Sequence, residues 1–146
     1  MSAPWKDQAR IDRLLDETEV WAVVGLSGDP YRTAFHIAKE LQEHGKRIVP
    51  VHPKAADGGL EVLGEKAYAT LADIPFEVDV VDVFRRSEAA GEIADQAVAA
   101  GAGAVWFQMG VIDEAAYART TAAGVPMVMD VCPSQQWHLR AAADAG

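Results

Sequence analysis

Val20-Trp21-Ala22-Val23-Val24-Gly25-Leu26-Ser27-Gly28-Asp29-Pro30-Tyr31-Arg32 decides how this chain folds. Five apolar residues run into a turn of small residues. Ala34, Ile37, Ala38 and Leu41 then recur at helical spacing, and Gly45 suits the end of that helix. The pattern is a buried strand that ends in a tight turn and opens a helix. Such a turn presents free backbone N–H groups and the positive end of a helix to a phosphate. It is not the dinucleotide fingerprint, because Gly-x-Gly-x-x-Gly needs glycine where Ser27 and Pro30 stand. The cradle suits a phosphate ligand that need not be NAD.

The same alternation continues along the chain. Residues 5–17 read as a leading helix within residues 1–18, with Ile11, Leu14 and Leu15 on one face. Residues 47–51, 78–84, 104–107 and 125–131 read as four further strands, and residues 52–64 as a loop. Helices are expected after Ser87, after Asp113 and over residues 134–143, the first two capped by those residues. Strands apolar on both faces and alternating with helices predict an α/β protein with a five-stranded parallel sheet covered on two sides. Right-handed crossovers favour a single Rossmann-like, doubly wound domain over residues 1–146, with strand order 3-2-1-4-5.

In such a sheet ligands sit beyond the carboxyl ends of the strands, so the loops there carry the function. In the first loop, Pro30 suits a helix start, and Arg32 in the first helical turn is poorly placed unless an anion binds beside it. The second loop, His52-Pro53-Lys54, lacks the carboxylate that NAD requires on its ribose. Lys54 suits a further phosphate, as on NADP or coenzyme A, although taken alone it reads better as a surface lysine. Phe84-Arg85-Arg86 offers an aromatic ring and two cations to a base or a phosphate, although Phe84 also reads as core. Gln108 stands at the fourth exit, where an amide can meet a ligand or a backbone group.

Composition removes several functions. A formal charge of −9 argues against nucleic acid or an anionic membrane surface as a general partner. No apolar run approaches a membrane span, and the first residues hold acids instead of an apolar signal core, so a cytoplasmic protein is expected. One cysteine excludes an internal disulfide, and the four histidines make no metal-binding spacing. Asp79 and Asp82 lie on opposite faces of a strand and make a poor acid–base pair. A phosphate cradle is legible; catalytic machinery is not.

The run 25–32, residues 45–51 leading into His52-Pro53, Asp79-Val80-Val81-Asp82-Val83-Phe84-Arg85, Val105-Trp106-Phe107-Gln108-Met109-Gly110 and Met129-Asp130-Val131-Cys132 follow one another in this order. Together they resemble the stand-alone bacterial CoA-binding domain proteins over nearly the whole chain. The fold is similar to the CoA-binding domain of the succinyl-CoA synthetase α subunit. The resemblance implies that Gly25, Ser27, Pro30 and Arg32, with Gly28, hold the pyrophosphate. It implies that Pro53 and Lys54 line the exit of the second strand, while Phe84, Arg85 and Gln108, with Gly110, border the nucleotide and pantetheine path. His52 departs from the asparagine usual before the proline, and the segment around Cys132 lacks an Arg before it and a Glu after it. The expected function is binding of coenzyme A or a short acyl-CoA without catalysis. An NADP-linked oxidoreductase and a protein regulated by a disulfide between Cys132 and the CoA thiol remain open alternatives. A protein partner or a homo-oligomer is compatible with either.

Overall fold

In the computed structural model, residues 3–145 are described. A 3-10 turn at Pro4–Lys6 precedes helix α1 (Gln8–Glu17), whose N-cap Asp7 accepts from the Arg10 amide at 3.1 Å. The leading helix read from the sequence is thus broken at Asp7. Strand β1 (Val20–Val24), helix α2 (Thr33–Glu43) and strand β2 (Arg47–Val51) follow. The expected loop after β2 holds a 3-10 turn (Pro53–Asp57) and a small hairpin of β3 (Glu61–Val62) and β4 (Glu65–Lys66). Then come β5 (Val80–Val83), α3 (Ser87–Ala99), β6 (Val105–Phe107), α4 (Glu114–Ala122), β7 (Met127–Val128) and α5 (Pro133–Ala145).

Five of these strands form one parallel sheet in the order β2-β1-β5-β6-β7, with helices on both faces. Fold class and strand number are as the sequence reads; the order 3-2-1-4-5 needs correction. The strand read as third is β5, and it pairs with β1 through Trp21↔Val80, giving 2-1-3-4-5 in that count. Tyr68 takes the place expected for the third strand, outside β2. It makes a single parallel bridge to Val51, with its amide on Pro50 O at 2.9 Å and its carbonyl accepting from His52 N at 3.0 Å. One residue is too short to register as a strand in a hydrophobic pattern. Pro50 fits this placement, since a proline without N–H is tolerated on an edge strand and not in the middle of a sheet.

Trp21, Val23, Ile48, Val80, Trp106 and Val128 bury one face with α1 and α2, and Trp21 and Trp106 lie 5.4 Å apart. Ala22, Val49, Val81, Val83 and Phe107 bury the other beneath α3, whose inner side is a stripe of Ala90, Ala94 and Ala97. The last strand is shorter than expected at both ends, and Asp130 beyond it takes a left-handed φ of 60°. At the sheet's far edge the N-terminal segment lies beside β7: Met129 N donates to Trp5 O at 3.1 Å, and Arg10 Nη1 to Met127 O at 3.3 Å. No helix among the described residues is long and apolar enough to cross a membrane.

Asp82 is fully buried at the centre of β5, and neither carboxylate oxygen has a hydrogen-bond partner among the described residues. Burial pushes its pKa well above the usual carboxylate range. Whatever Asp82 contributes to stability is therefore complete below its unfolded value of about 4 and is lost as pH rises toward the folded value. Wild type is expected to lose stability relative to Asp82→Asn as pH rises from about 4 through the neutral range. Denaturant unfolding of both proteins across that range checks it, and parallel curves would contradict it.

Candidate functional site

Everything at the site starts from the end of β1. Gly25 has φ +106°, and a β-carbon there would lie 2.7 Å from the Phe84 carbonyl oxygen. Only glycine allows that approach. The Gly25 amide bonds Val51 O and the Phe84 amide bonds Val24 O, each at 2.9 Å, so the exits of β2, β1 and β5 are tied together.

Beyond Gly25 the chain turns through Gly28, at φ +93°, and Asp29, whose Oδ1 accepts from Tyr31 N at 3.0 Å. Pro30 belongs to this turn and not to the helix. Arg32 is the N-cap residue instead of a first-turn residue; it donates its amide to Asp29 O at 3.1 Å and makes no side-chain cap bond. The early amides of α2 lack intrahelical partners, as in any helix. Thr33 and Ala34, which carry two of them, face an open cleft of about 680 Å³.

Of the residues the sequence singled out, Gly25, Ser27, Arg32, Lys54, Phe84, Arg85 and Gln108 all line this cleft. Pro53 lines an adjoining recess of about 180 Å³ that shares Gly25, His52 and Arg85 with it. Gly28, Pro30 and Gly110 shape turns and are not on the cleft wall. Cys132 is half-buried against the core face that holds Trp21 and Trp106, and it is also off the wall. Asp29, Thr33, Ala34, His52, Arg86 and Val111 complete the lining. Asp29, His52 and Arg86 stand in the strand-end loops read from the sequence, and Thr33 and Ala34 follow from the helix start; nothing local marks Val111.

The cleft is basic in a protein that is acidic overall. Arg32 approaches Asp29 at 3.7 Å, an exposed contact of little energetic weight. No ion pair among the described residues engages Lys54, Arg85 or Arg86. His52 accepts from the Lys54 amide through Nδ1 at 3.1 Å, capping the Pro53–Asp57 turn as an asparagine side chain would. That bond sets the neutral tautomer with its proton on Nε2. Burial, then the charges of Lys54 and Arg85, hold the His52 pKa below the ordinary histidine value.

Gln108 is 7% exposed, and its Oε1 is buried without a donor among the described residues. It opens a turn closed by Val111 N on Gln108 O at 2.9 Å, with Gly110 at φ +85°. Ser87 supports this turn instead of capping α3: its hydroxyl donates to Gly110 O at 3.4 Å and accepts from Ile112 N at 3.1 Å, while Arg86 holds the N-cap position. Asp113 does cap α4, accepting from Ala116 N at 3.0 Å.

Residues 19–137 match the family model described as CoA binding domain. The chain belongs to that family. It is 37% identical over 125 residues to the uncharacterized protein YneT of Bacillus subtilis, covering 86% of this chain and 90% of that one. A hypothetical protein of Pyrococcus horikoshii superposes with a TM-score of 0.85 at 33% identity, covering 96% of each chain. Sixty residues are 38% identical to the α subunit of ADP-forming acetate–CoA ligase II of Pyrococcus furiosus. That stretch is 40% of this chain and 12% of the ligase subunit.

Because protonation would charge a partly buried His52 ring beside Lys54 and Arg85, this residue weakens the fold as pH drops below about 6.5. Its imidazole is expected to titrate below that value by NMR. Lys54→Gln, Arg85→Gln or added inorganic diphosphate should each move the midpoint upward. A midpoint above that of a free histidine would refute this electrostatic picture.

Proposed function

We propose that the cleft binds coenzyme A or a short acyl-CoA and that the protein is a binding module without chemistry of its own. One arrangement carries the reading: a cationic, amide-lined cleft that also holds a buried, unpartnered amide oxygen. The first-turn amides of α2 and Arg32 offer a place for a diphosphate. Lys54 and Arg85, across His52, offer charge to the phosphate on the adenosine ribose. Gln108 Oε1 needs a donor, and the pantetheine arm of CoA brings two amide N–H groups. NADP shares the three phosphates but lacks that arm.

The single carboxylate on the cleft wall, Asp29, is committed to the Tyr31 amide and lies beside Arg32. It is poorly disposed to act as a general base, which favours binding over catalysis. A carrier or sensor for CoA, or a subunit of a larger assembly, fits that role. Charge-assisted contacts contribute about 1.5–3 kcal/mol each, so affinity in the micromolar range is expected from an open cleft.

Calorimetric titration with CoA, NADP and NAD tests the reading. CoA should bind tightest, and tighter binding of NADP would reverse it in favour of an oxidoreductase. Arg32→Ala should weaken CoA binding about tenfold with little change in thermal stability, since its side chain is 77% exposed. Unchanged affinity in that variant would remove the diphosphate from the α2 end.

A further inference from the structure

Asp130 sits after the last strand of the sheet in a left-handed conformation, φ 60°, that aspartate tolerates better than most residues. Its Oδ1 accepts from the Gly110 amide at 2.7 Å, and its Oδ2 meets Lys6 Nζ at 2.9 Å. Gly110 is the third residue of the turn at residues 108–111. With φ +85° there, the turn needs glycine, and its own closing bond uses Val111 N. The Gly110 amide is left over, and Asp130 takes it. Ser87 holds the carbonyl of the same residue from the other side.

We infer that Asp130, charge-balanced by Lys6, is a positioning residue that sets the turn at residues 108–111 and so the placement of Gln108 in the cleft; the ligand role of that turn rests on the CoA reading above. Three features support this. The bond to Gly110 is short and made by an ionised acceptor, the stronger kind of hydrogen bond. The left-handed backbone at Asp130 persists only where surroundings compensate it, and here they do so through the turn. Lys6 cancels a carboxylate charge that would otherwise oppose an anion in the neighbouring cleft. The N-terminal segment is itself anchored at this point, by Met129 N on Trp5 O. The Gly110 amide first, and Lys6 second, hold the Asp130 carboxyl below the usual carboxylate range. Its contribution is complete above about pH 4 and is lost as pH falls through the lower folded value.

Two variants separate positioning from folding. Asp130→Gly removes the carboxylate and relieves the backbone, whereas Asp130→Asn tolerates the same backbone and keeps an acceptor for Gly110. With the full chain, Asp130→Gly is expected to bind CoA about tenfold more weakly, as loss of one such bond implies. Inorganic diphosphate, which does not reach the turn, should bind it as it binds wild type. Asp130→Asn should restore CoA affinity. Hydrogen exchange of the Gly110 amide, faster in Asp130→Gly than in Asp130→Asn, reads the same clamp without ligand. If wild type bound no CoA, the proposed function would fall, and exchange alone would decide the positioning role. Equal losses for CoA and diphosphate, or unaltered Gly110 exchange in Asp130→Gly, would overturn it.

Discussion

One close approach organises this molecule: the α-carbon of Gly25 passes directly over the main chain at Phe84. A single methyl group there would lie 2.7 Å from a carbonyl oxygen that cannot move without disturbing the ladder behind it. The same crossing brings the helix that follows β1, the 3-10 turn that follows β2 and the arginines that follow β5 to a common opening. The site is therefore a product of backbone proximity before it is a product of side chains.

Charge is distributed to match. The chain carries −9 overall, yet four arginine or lysine side chains face the cleft against one carboxylate. Acids elsewhere are used in structural pairs. Arg140 joins α5 to α1 through Asp12 at 2.9 Å and Asp16 at 2.6 Å, and Arg119 joins α4 to α3 through Asp95 at 3.1 Å. Such surface pairs contribute little individually. An anion entering the cleft meets these four cations where the amides of α2 are exposed.

Much of this was legible because it is written in local patterns. The strand–turn–helix at 20–32, the cap at Asp113 and the apolar strands each depend on residues within one turn or one strand. Seven of the residues singled out at strand ends meet in one cleft for the same reason: a parallel sheet gathers those ends. What escaped depends on partners distant in sequence. Tyr68 becomes the outermost strand position only because Pro50 and His52 face it, and Ser87 abandons its expected cap because residues 110 and 112 come within its reach. Cys132 follows a strand end yet turns into the core, a matter of one side-chain direction. Pro50 was the available clue to the strand order, and it is a clue about an edge instead of a core.

The two flanks of the sheet carry a further consequence. Tyr68 and Pro50 on one side, and the Trp5 segment with Arg10 on the other, occupy or delete the main-chain groups that an incoming strand would need. Growth of this sheet by addition of a foreign chain is thereby discouraged at both margins. With both margins covered, the surfaces left open are the helical faces and the loops around the cleft.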